Sequence, residues 1–253
     1  MIDVHSHLVY GVDDGSRELA ETIAMLQEAK EAGFTDIILT PHYMEDYYMV
    51  PCKDIADCIV TMKEEAQKIG IQLYQGNEIY ATENIVDLLN TKEAMSLNGS
   101  RYVLFELPMQ NMPMNLDQVI YLLLEAGKVP IIAHPERYKY VQEDPNMLLD
   151  YIDRGVLFQS NFGSISGRYG KEIKETVKKL LTHNMIHFLG SDNHHTNAVY
   201  TEIPETMPIL QKWIGEKKIE ELTVENPRSI LQNEEIEIDD PEEIAKKSWK
   251  FWK

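Results

Sequence analysis

Five of the eight histidines in this 253-residue chain sit where a β-rich run gives out. His5 and His7 form an HSH triplet after the first such run, and residues two apart on extended backbone point the same way. TPH places His42 after the second run, AHPER places His134 after the fifth, and GSDNHH places Asp192 and His194 after the seventh. Carboxylates occur at comparable points: Asp14 in VDDG, Glu78 after GN and Glu106 in LFELP. Taken singly, a strand-end histidine is more often a hydrogen-bonded structural residue, and Glu106 reads equally as a loop acid. Nine such groups at one rim are another matter, because polar side chains so crowded repel or go unpaired unless cations join them. Metal binding is the economical reading. The donors are nitrogen and oxygen with no thiolate, which suits Mn, Fe or Zn and not copper(I).

The elements that must position these residues alternate along the chain. β-rich runs cover 1–5, 36–40, 72–76, 102–105, 129–133, 156–160 and 185–189. Amphipathic helical stretches cover 16–32, 55–68, 116–126, 145–154 and 171–183. In ETIAMLQEAKEAG, for example, Ile23, Leu26, Ala29 and Lys30 recur at helical spacing and Gly33 supplies a stop. Strand–helix alternation with short connections implies parallel strands joined by right-handed crossovers. Seven units fit a barrel or a doubly wound sheet, and a barrel gathers every strand C-terminus at one face, where such folds carry their chemistry. No repeat or long linker divides the chain, so one domain is expected over 1–232. Residues 233–253 form a tail, first acidic (NEEIEIDDPEEI) and then rich in Trp and Lys (AKKSWKFWK). The tail reads as a terminal cover for the barrel, with contact to a membrane surface or partner as the sharper alternative.

Composition narrows the function classes. Hydrophobic residues are 43% and charged ones 26%, which is ordinary for a globular chain with a sizeable core. No run approaches the roughly 18 apolar residues of a membrane span, and MIDVHSHLVY does not begin like a signal peptide. The formal net charge of −18 repels nucleic-acid phosphates, and no basic stripe offsets it. Cys52 and Cys58, six residues apart, make neither a disulfide framework nor a CxxC pair. A reducing cytoplasm is the expected location.

HSH, TPH, the Glu after GN, AHPER and SDNHH resemble the motifs of the PHP (polymerase and histidinol phosphatase) superfamily. MIDVHSH, VDDGS, LFELPMQ, AHPERY, GSISGRYGK and IHFLGSD narrow the resemblance to its bacterial manganese-dependent protein-tyrosine phosphatases of capsule and exopolysaccharide systems. It runs from Met1 to about Leu231. The resemblance implies an α/β fold, a distorted seven-stranded (β/α)7 barrel with three metals, usually Mn²⁺, at the strand C-terminal face. It assigns His5, His7, Glu78 and Asp192 to one metal, Glu78, Glu106 and His134 to a second, and Asp14, His42 and His194 to a third.

Around that set, Arg137 in AHPER is expected to fork onto phosphate oxygens, the alternative being a surface pair with Glu136. Arg168 and Lys171, in a Gly- and Ser-rich basic loop, are further candidates for the pocket rim. Some relatives carry a second arginine after SDxH; THNAVY has none here. Tyr43, Tyr47 and Tyr48 are expected on a rim loop facing an aromatic substrate, His183 and His187 as structural residues, and His195 beside the ligands. The implied reaction is phosphomonoester hydrolysis by metal-activated water, with Arg137, Asp192 and His194 as the catalytic residues. Its implied substrate is a phosphotyrosine protein, a bacterial tyrosine kinase with a tyrosine-rich C-terminal tail. The alternatives are a small-molecule phosphatase of the histidinol-phosphate type and a metal-binding scaffold without catalysis; a nuclease is disfavoured by charge.

Overall fold

Side chains alternate across each strand, and here both faces are apolar. In Tyr102–Glu106, Tyr102 and Leu104 join a small inner cluster with Val4, Ile38, Ile131 and Phe188, whereas Val103 and Phe105 join the larger cluster under the helices. Burial on both faces is the mark of a parallel sheet covered by crossover helices. The computed structural model describes residues 1–245. Its strands are β1 (Ile2–Asp3), β2 (Asp36–Leu39), β3 (His42–Tyr43), β4 (Gln72–Gln75), β5 (Glu78–Tyr80), β6 (Tyr102–Glu106), β7 (Val129–Ala133), β8 (Leu157–Asn161) and β9 (Phe188–Gly190). All pair in parallel, in one sheet ordered β1-β2-β4 and a curled sheet ordered β3-β5-β6-β7-β8-β9.

The expected seven strands are therefore replaced by nine short ones among the described residues. The segment 36–43 is interrupted before β3 at Thr40 and Pro41, and proline has no N–H for the ladder. The segment 72–80 is interrupted at Gly76 and Asn77, where Gly76 passes so close to Leu97 that a Cβ would lie 2.9 Å from its Cδ2. At the opposite edges, Ser6 and Asn193 form a parallel bridge, and the Asp192 N–H donates to the His5 carbonyl at 2.8 Å.

Helices pack on the outer face: α1 (Leu19–Glu31), α2 (Cys52–Ile69), α3 (Ile85–Thr91), α4 (Leu116–Glu125), α5 (Lys139–Glu143), α6 (Leu148–Asp153), α7 (Phe162–Ser166), α8 (Lys171–Thr182), α9 (Val199–Glu220) and α10 (Asn226–Gln232). In α2, Ile55, Ile59, Met62 and Ala66 form the buried stripe, and Gly70 ends the helix in the left-handed region at φ 83°. No described helix is long and apolar enough to cross a membrane. Residues 233–245 carry no helix or strand and cross the outside of the fold; the Glu242 N–H donates to the His183 carbonyl, and Asn146 exchanges two hydrogen bonds with the Ile244 backbone. Most of the Trp- and Lys-rich stretch, 246–253, lies outside the described residues, and with it the membrane or partner contact.

His187, just before β9, is enclosed in this core. Its Nδ1 accepts the Phe158 N–H at 3.0 Å, so the ring is held neutral, and Nε2 has no partner. Burial, helped by Lys218, pushes its pKa from 6.5 to about 3. The unfolded chain takes up a proton below 6.5 that the folded chain refuses. Stability from this residue is thus complete above pH 6.5 and falls by about 1.4 kcal/mol per unit as pH drops towards 3. Urea unfolding across this range should show a shallower loss for His187→Asn than for the natural chain, even though the variant starts less stable at neutral pH. Equal slopes would contradict this origin of the acid sensitivity.

Candidate metal centre

The strand ends deliver all nine sequence-selected histidines and acids to one place. His5 and His7 leave β1 fully buried, with Nδ1 of His5 2.7 Å from Gln159 Oε1 and Nδ1 of His7 2.8 Å from Asp13 Oδ2. Those partners turn the two Nε2 atoms inward, where they lie 3.2 Å apart. Glu78 opens β5 and is the hub. Its Oε2 lies 3.1 Å from His5 Nε2, 3.3 Å from His7 Nε2 and 3.1 Å from His42 Nδ1, and its Oε1 lies 3.0 Å from His134 Nε2. Asp192 Oδ1 is 3.4 Å from both His5 and His7 Nε2. Glu106, closing β6, faces His42 at 3.4 Å and His134 at 3.9 Å. Asp14 is the most open to solvent, its Oδ1 3.6 Å from the Nε2 atoms of both His42 and His194.

Three overlapping donor sets result, each with its ligand atoms within 4.8 Å of one another: His5, His7, Glu78 and Asp192; His7, Asp14, His42 and His194; and His42, Glu78 and Glu106. The cluster fits divalent cations. Glu78 Oε2 is buried among imidazole nitrogens without an aligned hydrogen bond, and His134 Nδ1 is likewise buried and unpaired. Burial works against charge on His5, yet Glu78 and Asp192 outweigh it and lift the imidazole to about 9. Burial, with the Glu78 and Asp192 charges, pushes Glu106 up to about 8. Burial and the neighbouring His7 hold His194 down, at about 4. So many displaced titrations mean that protons alone balance this site poorly; cations in their place satisfy carboxylates and imidazoles together.

The backbone is bent to suit. His134 and Asp192 both adopt left-handed conformations, at φ 35° and 52°, which cost a non-glycine residue energy and concentrate at functional sites. Gly15 in VDDGS lies so near His7 that a Cβ would sit 2.2 Å from the His7 carbonyl oxygen. Gly15→Ala must push apart the loop that carries Asp13 and Asp14 and the residue it orients. Mn²⁺ binding is expected to weaken about ten- to hundredfold, read by titration calorimetry on the metal-free protein; an unchanged affinity would show that this close approach is dispensable.

Beside the donors is a cleft of about 210 Å³ whose lining includes Arg137, Arg168, Tyr169, Asp192, His194 and His195. Arg137 does not pair with Glu136. Glu136 is buried and accepts from Ser160 Oγ, Ser164 Oγ and the Asn161 N–H, whereas Arg137 Nη1 donates to Asp192 Oδ2 at 2.9 Å. The guanidinium also lies over the Tyr169 ring, 4.9 Å from its centroid. Arg168 reaches the cleft with its guanidinium engaged by Glu202 of α9. Lys171 is turned to solvent beside Glu175 and does not line the cleft. Of the three tyrosines, Tyr43 is buried with its hydroxyl on Glu93, Tyr48 stacks on His42, and only Tyr47 is largely exposed.

Asp13, Gln159, Asn161 and Tyr169 escaped the sequence reading. Asp13 was masked by its neighbour Asp14. Gln159 and Asn161 had a usable signal: they are polar residues in a strand whose five residues are all buried. Asn161 Nδ2 donates to Asp192 Oδ2 at 2.6 Å, a second support for that carboxylate.

Known proteins are similar to this chain in sequence and fold. Residues 1–232 match the capsular polysaccharide synthesis family CpsB/CapC. Tyrosine-protein phosphatase YwqE of Bacillus subtilis (strain 168) is 30% identical, with 98% of each chain covered. Tyrosine-protein phosphatase CpsB of Streptococcus pneumoniae is 32% identical over 93% of this chain and 100% of its own. A crystal structure from work on these two proteins, described as unique metal-dependent tyrosine phosphatases, superposes with a TM-score of 0.89 at 30% identity, covering 97% of this chain and 100% of that one. The phosphotriesterase homology protein of Escherichia coli, 13% identical at a TM-score of 0.61, shares the fold alone, over 90% of this chain and 97% of its own. With its fold, its ordered motifs and all but the tail matched, the chain belongs to the CpsB/CapC family of capsular polysaccharide synthesis.

Proposed function

We propose that this protein is a metal-dependent phosphomonoester hydrolase that removes phosphate from protein phosphotyrosine. The observation that carries the reading is a single carboxylate, Asp192, whose Oδ1 faces the paired histidines while Oδ2 receives the Arg137 guanidinium. Cation-binding donors and a phosphate-matching fork thereby meet at the wall of one cleft. The relatives named as tyrosine-protein phosphatases supply the substrate class.

His5, His7, Glu78 and Asp192 would hold one cation, Glu78, Glu106 and His134 a second, and Asp14, His42 and His194 a third; manganese is our assignment, with iron or zinc compatible with the same donors. When bound, such cations supply Lewis-acid polarisation of the phosphoryl oxygens and acidify an attacking water. The chain's own residues do the rest. Arg137, held by Asp192 and Tyr169, aligns the phosphoryl group and offsets its growing charge. Arg168 guards the outer rim and is the weaker substrate contact, since Glu202 already occupies it. A phenolate, with an ordinary pKa of about 10, demands little help in leaving and can take its proton from solvent; His194 and Asp192, the groups nearest by motif, are committed to the cations and act by holding them.

Within the same reading, the two sheets are one distorted seven-membered barrel in which 36–43 and 72–80 each count once, closed by the Ser6–Asn193 bridge. Residues 1–232 are the phosphatase domain and 233–253 an appended tail. The substrate is the C-terminal tail of a bacterial tyrosine kinase, and the location is cytoplasmic, in keeping with two free cysteines. Hydrolysis rates for a phosphotyrosine peptide, histidinol phosphate and single-stranded DNA should rank the peptide first. Faster turnover of histidinol phosphate would make this a small-molecule phosphatase instead.

A further inference from the structure

We infer that the loops after β3, β5 and β6 form a docking wall for the polypeptide on either side of the phosphotyrosine, selecting lysine or arginine and apolar residues there; the inference rests on the phosphatase reading above. Because β3, β5 and β6 are neighbours in the curled sheet, their C-terminal loops, 44–51, 81–84 and 107–115, share one arc of the rim around the metal centre. Side chains tie these loops together. Glu45 accepts from Thr82 Oγ1 at 2.8 Å and Asn84 Nδ2 at 3.2 Å, and Glu83 accepts from Asn115 Nδ2 at 3.2 Å. Tyr48 stacks on His42, so the wall begins at the metal centre itself.

The wall's surface is unusual in two respects. Four of the eight large apolar side chains left exposed among the described residues are here: Tyr47, Met49, Met112 and Met114, the last fully exposed. Methionines adapt to varied partners, and a clustered apolar rim beside a cleft marks a binding surface. The three loops also contain Glu45, Asp46 and Glu83 and no lysine or arginine. The adjoining arc, after β7 and β8, carries Arg137 and Arg168. The rim is thus split, cationic where the phosphoryl group sits and acidic and apolar where the peptide leaves it. Charge complementarity makes the occupant a phosphotyrosyl segment with basic and apolar neighbours.

The test measures kcat and KM for two phosphotyrosine peptides of equal length, one flanked by lysines and one by glutamates, with p-nitrophenyl phosphate as the small substrate. The unaltered holoenzyme should favour the lysine peptide, less so as salt is added. In the Asp46→Lys/Glu83→Lys protein, KM for the lysine peptide should rise about tenfold, KM for the glutamate peptide should fall, and p-nitrophenyl phosphate turnover should not change. Met112→Gln/Met114→Gln should raise KM for both peptides and again spare the small substrate. Equal treatment of the two peptides by the unaltered enzyme, or the same KM values in the altered ones, overturns the docking wall while the phosphatase reading stands. Failure of the unaltered enzyme on every phosphotyrosine substrate overturns that reading, and the wall with it.

Discussion

Glu78→Gln is expected to lower kcat about a thousandfold or more and to reduce the metal held per chain, with the fold retained. Both oxygens of this buried carboxylate are committed. Oε2 faces His5, His7 and His42, and Oε1 faces His134, so four imidazoles converge on one side chain. Glutamine has the same shape, but it removes the negative charge and replaces one carboxylate oxygen by an N–H₂ group that has no lone pair to offer a cation. Elemental analysis beside circular dichroism separates lost metal from lost structure. A Glu78→Gln protein with full metal and full activity would show that the carboxylate is not needed to hold the cations.

Arg137→Ala is expected to lower kcat/KM about a hundred- to a thousandfold while leaving the metal content unchanged. The separation follows from the double support of Asp192: without the guanidinium, Asn161 Nδ2 still donates to Oδ2 at 2.6 Å, and Oδ1 keeps its place beside His5 and His7. Arg137→Lys should fall between, because an ammonium restores charge without the planar fork or the contact with Tyr169. If Arg137→Ala instead lost metal in step with activity, its role would be to hold Asp192 and not the phosphoryl group.

The donors were legible because they stand at strand ends, where a continuous apolar run stops and a polar residue has no place in the core. Their orienting partners were harder to see. Gln159 and Asn161 sit inside β8, and only the burial of both strand faces makes their polarity conspicuous. The crossover pattern carried the parallel sheet and five of the ten helices, α1, α2, α4, α6 and α8, but none of the short α3, α5, α7 and α10. It did not foresee α9, whose Pro204 and Pro208 lie inside the helix and whose Gly215 breaks helical geometry at φ 76°, so that local propensity spoke against a 22-residue helix that packing stabilises. Nor did it resolve β3 and β5, which at two and three residues are too short to show alternation and are defined only by their partners.

Release of phosphate from a phosphotyrosine peptide, measured with Mn²⁺ and with EDTA beside a phosphoserine peptide and the His134→Ala protein, bears most directly on the central claim. Turnover that needs Mn²⁺, stops with EDTA, prefers phosphotyrosine and disappears in His134→Ala is the expected result. A protein with its metals bound that leaves phosphotyrosine intact would contradict it.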